Sequence, residues 1–406
     1  MPNTPPVPSD STARPGEPVR RTRSRRRAAL AAAATAALLA VTATACGPDT
    51  DAAAGAGSSA ASDHKGPHLP DGAPTSLDDL KKWQDGGWKN WGQWAHRAKD
   101  FINPIIKDHW KPERLAQAKA APNITVKSST TDSGYGATDP APTPVTAQEV
   151  SRPYHRNMAP IGKIFMDSPE GSMVCSGTVV EDPAHPGKSN LVWTAGHCVH
   201  SGKKGGWMRN IIFVPSYNDN GVPKSQIGHH SSREITPYGK FWADWVNTSQ
   251  QWIDEGTLTD AVGGTAHDFA VLHVRPENGS GKSLQETVGA AVPIAFDAPT
   301  AERIGTIESF GYPAAAPYDG SRMMSCLGPT ARLTVQPGTS PLDRIGCTMT
   351  AGSSGGGWFA NRGGKLTLVT NTSIGNDKQH WLAGPHLGPE AQQVFDSMSR
   401  KFAGQR

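Results

Sequence analysis

Thr194-Ala195-Gly196-His197-Cys198, His267-Asp268-Phe269-Ala270-Val271-Leu272 and Gly352-Ser353-Ser354-Gly355-Gly356 follow one another in this order along the chain. A histidine, an aspartate and a glycine-flanked serine are the three parts of a nucleophilic triad. The serine attacks, the histidine takes its proton, and the aspartate orients and stabilises the imidazolium. Taken alone, each string has an ordinary reading: a buried core histidine, a strand-start aspartate, a glycine loop with exposed serines. Their flanks and their order argue for the chemistry. His197 stands in a small-residue turn at the end of the apolar run Leu191-Val192-Trp193-Thr194. Asp268 opens the apolar run Phe269 to Leu272, where a carboxylate is costly to desolvate unless an imidazole N–H holds it. Asp254 and Asp260 lie nearby but have no such run behind them. The glycines at 352, 355, 356 and 357 allow a tight loop whose N–H groups aim at one spot.

The surrounding texture predicts β structure. The chain has 406 residues, 44 of them Gly and 34 Pro, which favours short strands and turns over a helical bundle. From about residue 152, short apolar runs alternate with Gly, Pro, Asn and Asp. Gly162 to Met166, Val174 to Val180, Leu191 to Trp193, Ile211 to Val214, Phe269 to Val274, Ala331 to Val335 and Leu366 to Thr370 read as strands. Such spacing over about 250 residues indicates a barrel or sandwich class. Pro389 through Met398 reads as a helix.

The triad strings and their order resemble those of the chymotrypsin-like serine endopeptidases, in particular the secreted bacterial branch that includes glutamyl endopeptidases. The resemblance covers roughly residues 155 to 400. It implies an all-β fold of two packed antiparallel six-stranded β-barrels with a C-terminal helix and the site in the cleft between them. It implies His197 as general base, Asp268 as orienting acid, Ser354 as nucleophile, and the backbone N–H groups of Gly352 and Ser354 as the oxyanion hole. It places a disulfide between Cys175 and Cys198 beside the histidine, leaving Cys326 with Cys347. Gly311-Tyr312-Pro313 and Pro237-Tyr238-Gly239 also resemble strings of the bacterial branch. Ser373-Ile374-Gly375 matches the segment that pairs with substrate backbone. Thr348, six residues before the nucleophile, falls where the family sets its primary pocket, with Met349 beside it. Neither can pair with a lysine or arginine. Thr372 stands where glutamyl endopeptidases carry a histidine, so an uncharged residue is expected on the acyl side of the cut. Two positions depart from the family. Ser353 replaces the aspartate of the digestive enzymes, which removes a partner for a freed N-terminus. Gly357-Trp358 follows Gly355-Gly356 where the family usually has a proline, which bears on the local turn and not on the chemistry.

The first third of the chain lies outside this resemblance. Seven arginines and two acids precede Cys46; without them 33 basic and 34 acidic side chains remain, so the net charge of +4 gives no case for nucleic acid. The arginine run followed by uncharged Ala28 to Ala45 reads as an export signal, and the pairs Arg20-Arg21 and Arg25-Arg26-Arg27 permit a twin-arginine route. Thr42-Ala43-Thr44-Ala45-Cys46-Gly47 resembles a bacterial lipoprotein processing site. Lipid on Cys46 leaves four of the five cysteines to pair. The expected organisation is an export signal with a lipidation site at 1–46, a flexible linker at 47–75, and a Trp-rich helical segment at 76–120. A second linker at 121–151 and the protease domain at 152–406 complete it. In the helical segment Trp88, Trp91, Ala95, Ala98, Ile102 and Ile105 form an amphipathic stripe that Pro104 should bend or end. That stripe suits a pro-segment, a partner surface, an interfacial membrane helix, or packing on the chain's own protease domain.

The reading is an exported serine endopeptidase, membrane-tethered or secreted, acting on protein or peptide with no cofactor. His229-His230 has no Cys, Asp or Glu at ligand spacing, so no metal is expected. One rival is a catalytically inactive protease fold that binds peptides in its cleft. Another is an α/β-hydrolase, since Gly352 to Gly356 satisfies G-x-S-x-G and His380 and His386 follow. That elbow needs a helix after the serine, whereas glycines and Trp358 come here.

Overall fold

The computed structural model describes residues 103, 105–121, 124–127, 135–258 and 263–404. The export signal, Cys46, the first linker and the tryptophan stripe up to Ile102 lie outside the described residues. Three two-residue strands come first: β1 (Lys119–Ala120), β2 (Thr125–Val126) and β3 (Gln148–Glu149). Six longer strands then form an antiparallel barrel: β4 (Ile161–Ser168), β5 (Gly171–Val180), β6 (Leu191–Thr194), β7 (Arg209–Pro215), β8 (Phe241–Thr248) and β9 (Ala270–Pro276). Each pairs with two neighbours in the cycle β4-β5-β6-β9-β8-β7, which closes on β4 and leaves no free edge within the ring.

The second sheet is built from β10 (Thr306–Gly311), β11 (Met324–Leu333), β12 (Leu342–Gly346), β13 (Gly357–Arg362), β14 (Lys365–Asn371), β15 (Ile374–Asn376) and β16 (Trp381–Gly384). Its order is β14-β13-β10-β11-β12-β16-β15, with β2 added beyond β15 and β3 on β11. The sheet curls until its ends approach: a Cβ on Gly384 would strike the Asn371 carbonyl.

Alternation along the strands sorts the core into layers. On β4, Ile164 and Met166 point into the first barrel with Cys175, Val192, Phe213 and Leu272. Phe165 points the other way, into a layer with Trp193, Tyr217, Phe310, Tyr312 and Phe359 that joins the two halves. Ile307, Cys326, Ile345, Cys347, Trp358 and Val369 fill the second half. Both expected disulfides, Cys175–Cys198 and Cys326–Cys347, are present. The helix Pro389–Phe402 starts on a proline suited to a first turn and buries Ala391, Val394, Phe395, Met398 and Phe402 along one face. Phe402 stacks on His273 of β9 at 3.6 Å between ring centroids.

The segment before the barrels is tied to them by polar anchors. Asn103 exchanges hydrogen bonds with Ile211 and donates to Ala243 O. Trp110 is fully buried, and its Nε1 donates to Asn210 O at 2.7 Å. The Asp167 carboxylate on β4 collects His109 at 2.8 Å, Arg114 at 2.9 Å, Ser172 Oγ at 2.7 Å and Asn210 Nδ2 at 2.8 Å. Residues 135–151, read from composition as connecting chain, lie along the second sheet. Asp139 pairs with Arg332, and β3 pairs with β11.

Burial alone would raise the Asp167 carboxyl, but His109 and Arg114 outweigh it and lower it from 3.8 to about 2. A carboxyl lowered on folding adds stability above its unfolded value, and that stability disappears as pH falls through the folded value. Here it amounts to roughly 2 kcal/mol, complete above about pH 4 and lost towards about pH 2. Asp167→Asn is therefore expected to destabilise the protein by about 2–3 kcal/mol at neutral pH. The gap from wild type should close as pH falls from about 4 to 2. Urea unfolding across that range measures both.

Candidate active site

β6 ends at Thr194, and the chain turns at once into a short 3-10 turn, Gly196–Cys198, that carries His197. The turn is pinned at Cys198 by the bridge to Cys175 on β5. Gly196 lies where a Cβ would press on Trp252, whose ring centroid is 6.2 Å from that of His197. Asp268 follows a second 3-10 turn, Thr265–His267, at the mouth of β9. The two residues meet because β6 and β9 are neighbours, with Thr194 opposite Ala270. His197 Nδ1 lies 2.7 Å from Asp268 Oδ2, and the His197 amide donates to Oδ1 at 2.8 Å. Asp268 is 0 % exposed.

The carboxylate has a third donor. Ser373 Oγ donates to Asp268 Oδ2 at 2.5 Å. Asn371 Nδ2 donates to the Asp268 carbonyl at 3.1 Å, and Trp193 Nε1 holds the other side of that amide at 3.0 Å. The imidazole is thus fixed through Nδ1, while its buried Nε2 has no hydrogen-bond partner among the described residues.

Ser354 reaches this corner through its backbone. Ser176 N donates to Ser354 O at 2.7 Å, on the strand that also carries Cys175. Ser354 is 7 % exposed. Within its loop the amides of Ser353, Gly355 and Gly356 donate to Thr350, Thr372 and Ser353 carbonyls. Among the described residues, nothing accepts from the amides of Gly352 and Ser354. Gly352 has φ +100° and Gly355 φ +77°, backbone conformations that favour glycine. Ser353, in the place of the family's aspartate, turns inward and donates from Oγ to Thr350 O at 2.7 Å. Gly357 leaves room for Thr178 and the Phe359 ring, and Trp358 donates from Nε1 to Thr372 Oγ1 at 2.8 Å. The unusual Gly357-Trp358 pair therefore fills the second core.

Ser176 was not legible as a site residue. Its hydroxyl donates to Gly352 O and accepts from Tyr312 N, both at 2.9 Å, so it orients the Gly352 peptide. Its only sequence signal is its place after Cys175. Asn371 gave no signal. Ser373 was expected against substrate; the structure places its hydroxyl on Asp268, at the entry to β15. Ile374 and Gly375 lie on β15. Thr348 Oγ1 accepts from Ala147 N at 2.9 Å and bonds to the Tyr318 hydroxyl at 2.8 Å, while Met349 is buried in the second core.

Lys163 is a second residue that sequence reading passed over. Its Nζ donates to Gly320 O at 2.6 Å, 4.8 Å from the Tyr217 ring centroid. Burial lowers its ammonium to about 7, with Lys224 adding repulsion. The loop it holds braces the loop of Ser354: Ala314 N donates to Ala351 O, and Thr350 Oγ1 donates to Ala315 O. The ligand atoms of Cys175, His197 and Cys198 lie within 4.8 Å of one another, but both sulfurs are committed to their disulfide.

No protein-family model and no curated protein matches the chain. Solved structures do. A thermostable serine protease, AL20, from an extremophilic microorganism is 32% identical, with 60% of this chain and 97% of that one covered and a TM-score of 0.48. This chain belongs to the chymotrypsin-like serine protease family. The protease Anisep from Arthrobacter nicotinovorans is 28% identical, over 62% of this chain and 99% of that one, with a TM-score of 0.48. A Glu endopeptidase matches at 15% identity over 65% of this chain and 100% of its own, with a TM-score of 0.43. Within this family frame, the closed barrel and curled sheet hold the histidine, aspartate and serine strings at one junction.

Gly355 tests how tightly that junction is packed. A Cβ there would fall 2.6 Å from Ser176 O and 2.8 Å from Ala195 N. With the positive φ added, Gly355→Ala is expected to cost about 2–5 kcal/mol in urea unfolding. An unchanged midpoint would show that the loop can move away from Thr194 and Ser176.

Proposed function

We propose that the protein is an exported serine endopeptidase that hydrolyses peptide bonds through an acyl-enzyme on Ser354. His197 acts as general base and then general acid, and Asp268 orients its ring. The observation that carries this reading is the state of the imidazole. One nitrogen is held by a fully buried carboxylate, and the other is buried beside the loop of Ser354 with no partner among the described residues. A base needs that arrangement: one tautomer fixed and one lone pair free to take a proton.

In the first step Ser354 Oγ attacks the peptide carbonyl carbon while its proton passes to His197 Nε2. The carbonyl oxygen gains negative charge and is received by the Gly352 and Ser354 amides. Preorganised donors of this kind are usually the largest electrostatic contribution to acyl transfer. His197 then gives the proton to the leaving amine. Water, deprotonated by the same nitrogen, releases the acyl group and restores Ser354. No cofactor enters either half. The substrate class is protein or peptide, with an extended stretch paired along Ser373, Ile374 and Gly375.

Two disulfides fit an oxidising compartment outside the cytoplasm. Among the described residues no helix is long and apolar enough to cross a membrane. Export through the arginine-rich signal and lipidation of Cys46 are part of this proposal; [3H]palmitate incorporation, lost in Cys46→Ala, tests the anchor.

A fluorophosphonate probe tests the nucleophile. Ser354→Ala should lose labelling and peptide hydrolysis completely. Ser353→Ala, which removes one internal hydrogen bond worth about 1 kcal/mol, should keep most of both. Equal loss in two folded variants would overturn the assignment of Ser354.

The pocket reading has its own test. Thr348 Oγ1 is already bonded to Tyr318 and Ala147, and Met349 is apolar, so neither offers a partner to a charged side chain. An unpaired buried charge costs several kcal/mol, whereas an apolar group gains area on entry. Cleavage of a peptide library is expected after uncharged, medium-sized or apolar residues. Predominant cleavage after Lys, Arg or Glu would refute it.

A further inference from the structure

β15 begins one residue after Ser373, whose hydroxyl rests on Asp268. One edge of β15 pairs with β16. The other edge is covered by the chain's own β2. The pairing is parallel, with Thr125 opposite Gly375 and Val126 opposite Asn376. Gly375 N donates to Ile124 O and Asp377 N donates to Val126 O, both at 3.2 Å. A strand edge with free amides and carbonyls is the general docking surface for an extended peptide. Here that edge leads directly from the buried carboxylate.

The side chains of this segment take up space as well as hydrogen bonds. Ile124 is 2% exposed and Val126 5% exposed. They share an apolar cluster with Ile374, Trp381, Leu342 and Trp252. Trp252 is the residue whose ring lies beside His197. The same stretch of chain also reaches the other half of the molecule. β1 pairs with β5 at Met173 and Val174, next to Cys175, and Ala121 N donates to Val174 O. Ala121 on the first barrel and Ile124 on the second sheet are three residues apart, a reach of at most about 11 Å. The segment therefore bridges the two halves beside the candidate active site.

We propose that Ile124–Lys127 is an internal occupant of the substrate-pairing edge, a strap that keeps the full chain latent towards extended peptides until it leaves β15. This rests on the reading of Ser354 as nucleophile and of β15 as the strand that grips substrate. An extended peptide and the strap compete for the same Gly375 and Asp377 amides and for the same apolar surface. A small phosphonylating reagent needs neither, so it reaches Ser354 with the strap in place.

The test compares the two kinds of reagent on the full chain. Peptide turnover is measured with an extended apolar peptide amide and divided by the number of sites that a fluorophosphonate labels. That ratio corrects for any variant that folds incompletely. In Ile124→Asp/Val126→Asp the ratio should rise at least tenfold over wild type, and in Ile124→Ala/Val126→Ala by a smaller factor. An unchanged ratio in both variants overturns the strap while leaving the nucleophile intact. Absence of labelling in the wild type would overturn the Ser354 reading instead. A second measurement needs no variant. Hydrogen exchange in residues 119–127 should accelerate when a peptidyl chloromethyl ketone is attached to His197 of the wild type. Unchanged exchange with the reagent attached would show that strap and peptide occupy different surfaces, and would overturn the proposal.

Discussion

The Asp268 carboxylate sits at the mouth of β9 with no exposed surface, and a charge in that position is tolerated only when donors surround it. Its donors come from both halves of the molecule. The His197 amide and ring belong to the turn that ends β6 of the closed barrel. The Ser373 hydroxyl belongs to the end of the second sheet. Satisfying one carboxylate therefore requires the two halves to be in register with each other. Trp193 and Asn371 repeat the same crossing, from β6 to the end of β14 and on to the Asp268 carbonyl. The cost of an unsatisfied buried carboxylate is large enough to act as a constraint on how the barrels dock, and the ring orientation of His197 follows from it.

The serine loop depends on that docking in turn. Ser354 is placed by its carbonyl, which accepts from Ser176 in the first barrel, and Gly352 is placed by the Ser176 hydroxyl. Its amides are sorted by the turn: those of Ser353, Gly355 and Gly356 donate to backbone carbonyls, and those of Gly352 and Ser354 have no acceptor among the described residues. The positive φ angles at Gly352 and Gly355 are what make that sorting possible. Lys163 adds a prop from behind through the loop that holds Ala351, at the expense of an ammonium whose burial opposes its charge.

The parts of this arrangement that were legible in the sequence are those that need particular residue types close together. The small residues around His197, the apolar run behind Asp268 and the glycines around Ser354 answer local steric demands, so they leave local signatures. Several strands, among them β4 to β7 and β9, were legible as short apolar runs between turn residues, because both faces of those strands are buried. Ser176 and Asn371 were not, because each acts across more than a hundred residues through a backbone group that any amino acid carries. The stretch from 121 to 151 misled in the same way. Its Ser, Thr, Ala and Pro content reads as connecting chain, yet Thr125, Val126, Gln148 and Glu149 pair with strand edges. Backbone pairing is blind to composition, and an edge strand of two residues has no period to detect.

That blindness bears on how firmly the segment at β15 can be held. Burying Ile124 and Val126 contributes roughly 2–3 kcal/mol each. Ordering the backbone of Ile124 to Lys127 costs roughly 1–2 kcal/mol per residue, before side-chain entropy. The two are of similar size, and two hydrogen bonds of about 1 kcal/mol each do not separate them widely. The segment gains most of its hold from being tethered: β1 on the first barrel keeps it beside β15 at high effective concentration. A free peptide that offers the same pairing lacks the tether but, on the proposed reading, also reaches the Gly352 and Ser354 amides, which the segment's two hydrogen bonds to β15 do not engage. The balance is close enough for a change at the tether, upstream of Ile124, to decide which of the two occupies the edge.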